Sequence, residues 1–278
     1  LGGKGKIAEK ITQTAWLNAM KNNGCIGCHQ LGQLSTRTFP KNLPHPINSA
    51  NSEEAWFRRI QSGQSGEQMF SQLVKELGGA PIRYFADWTD RIAKGELPHA
   101  KPERPQGVER NIVVTTWDWL NEKQYLHDLI ASDRRYPTVN GYGPVYGSPE
   151  YSTDLLPILD PKKHVTWNFT TPIRDPNVPE ALGPGHAASD KLMQPSPYWG
   201  SEKIWDTKVN NHNAMIDRKG RVWFAARFRD ANTPAYCKKG SDHPSAKVVP
   251  MDRTNRQLTF LDPKTGQYTY VDTCFGSH

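Results

Sequence analysis

Apolar side chains in the first hundred residues recur at the three- and four-residue spacing that is typical of amphipathic helices. This spacing predicts a first helix within residues 7–21 and a third within residues 69–77. Asn51 precedes the second helical segment as an N-cap, and two acidic residues occupy the first turn of that segment. Glycines follow each segment, so we expect three short helices in this part of the chain.

Beyond residue 110 the pattern changes to short runs of β-branched, aromatic and aliphatic residues separated by turn residues. An Asp-Pro-Lys turn lies between two such runs at residues 160–162 and again at residues 262–264. A second kind of unit, residues 212–224, reads as a strand, an Asp…Gly turn and another strand, and residues 127–146 repeat it loosely. These patterns predict antiparallel hairpins.

The two patterns are separated by a proline-rich stretch, with three prolines in residues 98–107. Such a stretch is typical of an extended linker. We therefore divide the chain into a helical domain over residues 1–100, a linker over residues 101–110 and a β region over residues 111–278. Hydrophobic residues make up 36% of the chain and aromatic residues 10%, which excludes wholesale disorder.

The chain has 278 residues and a net charge of +7, from 35 basic and 28 acidic side chains. The basic excess contains no run of five like charges, so we expect no nucleic acid partner. A basic face for an acidic protein partner fits the charge, and so does an ordinary solvated surface. We expect no membrane span, because no sufficiently long apolar run occurs. A start at Leu1 without a signal segment suggests a processed or partial chain.

The sequence Cys25-Ile26-Gly27-Cys28-His29 has the spacing of a c-type haem attachment site. Two thiols three residues apart can each form a thioether to one haem vinyl group, and the following histidine can ligate the iron. A thioredoxin-type dithiol would need a surrounding βαβ pattern, and a zinc site would need a second ligand pair at a matching distance. Neither signal is evident, so we predict one covalent haem c on Cys25 and Cys28 with His29 as its proximal ligand.

The succession of helix, haem motif, helix, glycine-rich turn and helix resembles a small class I cytochrome c over residues 5–100. The resemblance implies an all-α domain and a distal methionine ligand, for which Met69 is the candidate by its position after the second helix. The Met-Pro pair common in that family is missing here. Met69 also lies in register with helix core residues, and three other side chains could replace it as a ligand: Met20, His45 and His99.

The unit His-x-x-x-x-Asp-x-x-Gly-x-Val-Trp-Phe at residues 212–224 resembles the repeat of NHL-type and streptogramin-lyase-like β-propellers. The resemblance implies a multidomain protein in which the all-α domain is followed by an all-β region of about two incomplete propeller blades. A propeller closes only with about four to eight blades. We therefore expect the natural chain to continue beyond residue 278, or a second chain to complete the ring. The alternative is a small β-sandwich built from the same hairpins.

Histidines and cysteines mark two further sites in the β region. Three histidines stand where successive inner strands would begin, and could converge on a metal or a proton pathway; they are His127, His212 and His278. Alternatively, each could cap a turn within its own unit. The pair Cys237 and Cys274 flanks the last hairpin and is expected to form a disulfide, with two free thiols as the alternative.

These observations lead to one functional prediction and two alternatives. The prediction is an exported, periplasmic mono-haem module that passes single electrons to or from a redox partner protein, with the β region binding a substrate or partner. The first alternative is a propeller lyase or hydrolase with an accessory haem. The second is a non-catalytic scaffold in a larger haem-protein assembly. One haem carries only one electron at a time, so we prefer an electron-transfer module or an oxidoreductase subunit over a self-sufficient dehydrogenase; which of these two the chain is stays open.

Overall fold

The structure is a computed structural model, and the description below covers the following residues: 11–22, 25–28, 32–39, 51–61, 66–96, 103–178, 206–229, 231–254 and 256–277. The α-helices in chain order are α1 (Gln13–Leu17), α2 (Cys25–Cys28), α3 (Leu34–Arg37), α4 (Ser52–Arg59), α5 (Gly66–Phe70), α6 (Ala80–Ala93) and α7 (Pro244–Val248). Two π-helical turns continue α1 and α5, at Asn18–Asn22 and Ser71–Glu76. Two 3₁₀ turns lie at Gly107–Asn111 and Ala235–Cys237.

The predicted second helix forms as α4, and its start follows from the predicted cap. The Asn51 side chain accepts a hydrogen bond from the Glu54 amide at 2.9 Å, which satisfies one of the donors that a helix start leaves open. The third predicted helix forms as α5 and its π-helical continuation. Helix α6 was not predicted, although Pro81 in its first turn is a typical helix-start signal.

The helices pack around two small apolar clusters. In one cluster Trp56 stacks on Phe85 with ring centroids 5.1 Å apart, above the buried side chains of Ile60 and Ile82. The other cluster is built around Trp16 and includes three more buried side chains, namely Ala19, Met20 and Leu77. Phe85 packs against both clusters, so the first and last helices of this region are joined through one aromatic ring.

Within the described residues, eight strands form two antiparallel four-stranded sheets in which each strand pairs with the next described strand along the chain. The first sheet contains β1 (Asp128–Ile130), β2 (Val145–Ser148), β3 (Leu155–Asp160) and β4 (Val165–Thr170). The second contains β5 (His212–Ile216), β6 (Val222–Ala226), β7 (Gln257–Asp262) and β8 (Gln267–Val271). The structure confirms both Asp-Pro-Lys hairpins, β3–β4 and β7–β8. In the first, Asp160 Oδ1 accepts the amide hydrogens of Lys162 and Lys163 and so closes the turn.

One apolar core is shared by the two sheets. Leu156 and Ile158 of the first sheet pack in the same cluster as Val222, Phe224 and Leu261 of the second. Strand β1 lies beside β5, which brings the beginnings of these two strands together. The junction of β1 and β5 is therefore a place where side chains from distant parts of the sequence meet.

Buried hydrogen bonds connect the helices to the chain segment that precedes the first sheet. Ser35 Oγ donates to the carbonyl of Gln124 at 2.7 Å. Arg59, only 5% exposed, donates to the carbonyl of Thr38 at 2.6 Å and to the hydroxyl of Tyr125 at 2.7 Å. A buried guanidinium is stable only when its donors are satisfied, so these contacts fix the helices against that segment.

The predicted fold class, a small all-α cytochrome c domain followed by an all-β region of incomplete β-propeller blades, is wrong. Within the described ranges no separate helical domain is evident, because the helices are mostly short and pack against residues that lead into the first sheet. Over the strands that the structure describes, each sheet is an open meander, and neither closes into a barrel or a propeller. A hairpin pattern predicts which strands pair, but it gives no information on how whole sheets are arranged relative to each other.

A disulfide joins the predicted pair Cys237 and Cys274, whose Cα atoms are 5.1 Å apart. It ties the 3₁₀ turn after β6 to the segment that follows β8. For a sequence separation of 37 residues, the loop-entropy account gives a stabilisation of about 3–4 kcal/mol. In the part of the chain that the structure describes, no helix combines the length and the apolar character needed to cross a membrane.

Candidate functional site

The haem motif begins in α2, a single helical turn that contains positions 25 and 28. Positions three apart lie on the same side of a helix, as attachment to one haem edge requires. The Cys25 side chain is half-buried, and its Sγ lies 3.8 Å from Sδ of Met20. Cys25 also packs against the cluster around Trp16. His29 lies outside the described residues, as do His45 and His99.

The two candidate methionine ligands occupy different apolar clusters. Met20 is buried beside Cys25 in the cluster around Trp16. Met69 is partly buried in the cluster around Trp56, which does not include Cys25. The structure thus brings Met20 and the motif together and places Met69 among helix core residues. The assignment of Met69 as distal ligand stays a prediction.

Two of the three histidines for which convergence and turn capping were the alternatives lie close together in the structure. His127 lies immediately before β1 and His212 begins β5, and their ring centroids are 4.7 Å apart in an edge-to-face arrangement. The His127 side chain is 24% exposed, whereas that of His212 is 4% exposed. The pair therefore reaches from the interior to the surface at the junction of the two sheets. His278 lies outside the described residues.

Two carboxylates complete the surroundings of the histidine pair. Asp128 Oδ2 lies 3.1 Å from Nδ1 of His127 and 3.3 Å from Nε2 of His212. Glu150, which follows β2, lies with Oε2 3.5 Å from His127 Nε2 and Oε1 3.4 Å from His212 Nδ1. Each carboxylate thus faces both imidazole rings. Three of these residues, His127, Glu150 and His212, offer ligand atoms that all lie within 4.8 Å of one another; we call them the histidine–glutamate cluster.

The electrostatics of Asp128 follow from burial and hydrogen bonding acting in opposite directions. Burial raises the pKa of this carboxyl, but hydrogen bonds from His127 and from the Asn213 amide, together with the nearby imidazoles, hold its pKa below the usual range. The Asn213 amide donates to Oδ2 at 2.8 Å. Asp128 is therefore an ionised acceptor for the groups around it.

Arg256, which lies just before β7, supplies a positive charge to the same place. Its Nη1 donates to His212 Nδ1 at 2.7 Å, and its Nη2 donates to Glu150 Oε1. Tyr151 lies beside this pair. Burial and the neighbouring Glu150 carboxylate raise the pKa of the Tyr151 hydroxyl to about 12, although Arg256 opposes that shift. The phenol therefore stays protonated at neutral pH.

Three residues next to the cluster have backbones in the left-handed region, namely Tyr151 (φ 59°), Asn210 (φ 52°) and Asn213 (φ 52°). This conformation is unfavourable for tyrosine, and strained residues of this kind often concentrate at functional sites. The Tyr151 amide donates to Oδ1 of Asn210 at 2.8 Å, which holds the strained turn next to Glu150 in place. Hydrogen bonds between residues near the first sheet and residues near the second sheet thus fix the backbone around the histidine–glutamate cluster.

His127 and His212 were named as candidate site residues from the sequence, but their partners Asp128, Glu150 and Arg256 were not. Asp128 had a usable signal, because it follows His127 directly in the sequence. Glu150 and Arg256 had none, because they come from loops that only the packing of one sheet against the other brings together. Side chains from the regions of both sheets contact His127 and His212, which favours convergence over the capping of separate turns.

A second feature of the sheet region is a basic groove on the second sheet with a volume of about 520 Å³. Its lining includes four cationic side chains, namely Arg218, Lys219, Arg221 and Lys264. The Arg221 guanidinium lies over the Phe260 ring, 4.6 Å from its centroid, and pairs with Asp217 at 2.7 Å. The groove suits carboxylate-bearing partners because guanidinium groups recognise carboxylates in a defined geometry.

Comparison with protein-family models, with curated proteins and with solved structures finds no match for this chain.

Proposed function

We propose that this chain is an exported c-type haem protein that passes single electrons between other redox proteins. The observation that carries the proposal is the sequence Cys25-Ile26-Gly27-Cys28-His29. This spacing supplies two thiols for covalent attachment and an adjacent imidazole for the iron. When bound, the haem supplies a metal centre that gains or loses one electron.

The residues around the motif fit a haem. The helical turn Cys25–Cys28 keeps the two attachment positions at the spacing that the chemistry needs. Cys25 lies beside Met20 and the aromatic cluster around Trp16, so the attachment point adjoins an apolar surface that can cover a porphyrin. Apolar burial and the identity of the axial ligands are the means by which a protein sets a haem potential.

His29 and, as the candidate second ligand, Met69 would hold the iron of an attached haem, and both would act by setting its potential rather than by reacting with a substrate. A Met/His pair raises the reduction potential relative to two histidines. Such a potential suits an acceptor of electrons from a substrate-oxidising protein. The chain then acts as a carrier or as the electron-transfer subunit of an oxidoreductase.

The partner is proposed to be an acidic redox protein. The net charge of +7 favours the approach of an anionic surface, and the basic groove that includes Arg218, Arg221 and Lys264 offers a place for it. Export is supported by the disulfide between Cys237 and Cys274, since such bonds persist mainly in oxidising compartments. A periplasmic location is consistent with both features.

The experiment is expression of the full chain in a periplasmic host with haem-attachment machinery, followed by a pyridine haemochrome spectrum and intact mass. We expect one covalent haem per chain and a reversible change between ferric and ferrous spectra. Replacement of both motif cysteines, Cys25→Ser and Cys28→Ser, should abolish covalent attachment, while the matched change His164→Gln elsewhere in the chain should leave it intact. A mass equal to the bare polypeptide in the wild type would overturn the proposal.

A further inference from the structure

We propose that His127, Glu150 and His212 bind one divalent transition-metal ion, with zinc as the closest match, at the junction of the two sheets. The proposal is independent of the haem, since it concerns side chains of the sheet region alone. Two imidazoles and one carboxylate form a donor set that zinc accepts in proteins. Which ring nitrogens can bind the metal depends on where the protons of the two imidazoles lie.

Asp128 determines which nitrogen of each ring is available to a metal. Its Oδ2 lies 3.1 Å from Nδ1 of His127 and 3.3 Å from Nε2 of His212, so the negative charge of the carboxylate favours a hydrogen on each of these two nitrogens. A neutral imidazole has one N–H, and its other nitrogen then carries a lone pair. Nε2 of His127 and Nδ1 of His212 are therefore the nitrogens with lone pairs. A carboxylate that receives hydrogen bonds from metal-binding imidazoles is a common orienting partner in metal sites.

The contact with Arg256 supports this assignment for His212. An arginine side chain has only donors, so the nitrogen 2.7 Å from its Nη1 must act as an acceptor. That nitrogen is Nδ1, which leaves the single ring hydrogen on Nε2, facing Asp128.

The two nitrogens with lone pairs face the same carboxylate at distances that suit a metal. Nε2 of His127 is 3.5 Å from Glu150 Oε2, and Nδ1 of His212 is 3.4 Å from Glu150 Oε1. Tetrahedral zinc with bonds of about 2.0–2.2 Å requires ligand atoms about 3.3–3.6 Å apart. Moreover, a nitrogen lone pair and a carboxylate that face each other repel; Arg256 offsets this repulsion at His212, and a metal ion between the ligands would offset it at both nitrogens.

The Arg256 guanidinium lies between His212 and Glu150, where it would be in the way of a bound metal ion. Its guanidinium contacts both His212 Nδ1 and Glu150 Oε1, the same two atoms that the metal needs. An entering ion must therefore displace the guanidinium from that edge, and the two cations compete. Removing the arginine charge should consequently strengthen metal binding.

The test is a calorimetric zinc titration of the full chain, in haem-loaded form and with the substitutions Cys25→Ser and Cys28→Ser. The second form is needed because free thiolates also bind zinc. We expect one zinc ion per chain in both forms, at a site that raises the melting temperature as zinc is added. Since this site does not require the haem, loss of haem attachment would not remove it, and the two proposals can fail separately.

Variants distinguish this site from other histidines. His127→Gln should weaken zinc binding by more than about tenfold, and Asp128→Asn should weaken it by about 10–100-fold. Arg256→Gln should tighten it, whereas the control His164→Gln should leave it unchanged. Circular dichroism of the metal-free variants checks that each retains its fold. Zinc affinity that is equal in the wild type and in His127→Gln would overturn the proposal, because His127 would then not be a zinc ligand.

Discussion

The sheets and the helices bury their apolar side chains in different ways. The two sheets share one continuous core, in which residues of β2 and β3 contact residues of β5, β6 and β7. The helices instead rely on two small clusters, one around Trp16 and one around Trp56, joined by Phe85. A shared core makes the sheets stable as one unit, whereas small clusters make each helix depend on few contacts.

The sharpest test of this comparison removes a central side chain of the shared core. Phe224→Ala should lower the free energy of unfolding by about 3–5 kcal/mol, because it leaves a cavity between buried residues of both sheets. Chemical denaturation measures the loss, and hydrogen exchange should show reduced protection in strands of both sheets. Met215→Ala, at an exposed position of β5, is the matched control and should change stability by less than about 1 kcal/mol. Reduced protection confined to the second sheet would contradict the shared core.

A smaller effect is expected in the helices. Trp56→Phe should cost about 1–2 kcal/mol, because it removes the hydrogen bond from Nε1 to Thr89 Oγ1 (3.1 Å) and part of the stacking on Phe85. Hydrogen exchange should show faster opening of α4 and α6 while the strands keep their protection. Trp117→Phe, outside this cluster, serves as the control. Equal loss of protection in the strands would mean that helices and sheets open together.

The smallest predicted effect concerns the turn between β5 and β6 and depends on pH. Burial raises the pKa of Asp217, but hydrogen bonds from Trp223 and Arg221 and from backbone amides hold it below the usual range. The stabilisation is therefore present above the unfolded-state pKa of about 3.9 and is lost as the pH falls through the lower, folded-state pKa.

Asp217→Asn should consequently destabilise the protein by about 1 kcal/mol at pH 7 and by much less near pH 2. Urea unfolding of both proteins at the two pH values measures the difference. The control is Asp175→Asn, in a loop outside both sheets. A cost that does not change with pH would show that the charge of Asp217 contributes nothing to this turn.

The sequence predicted the local features and missed the distant ones. The Asn51 cap and the Asp-Pro-Lys hairpins depend on neighbours within a few residues, so their signals are complete in the sequence. His127 and His212 were singled out from the sequence because each opens a similar unit of the pattern, with convergence on one site and the capping of separate turns as the alternatives. Glu150 and Arg256 could not be found in this way, since their places depend on how the two sheets pack. The propeller expectation failed for the same reason: alternation shows that a strand face is buried, but not what covers it.

The buried guanidinium of Arg59 has a consequence for how this protein can be divided. Its hydrogen bonds reach Thr38 on the helical side and Tyr125 on the other side of the proline-rich stretch. A fragment cut within residues 101–110 would lose Tyr125 and leave a charged group in an apolar interior with one partner fewer. We therefore do not expect the helices to fold as an independent unit. Chimeras that include these helices should contain residues 117–127 as well.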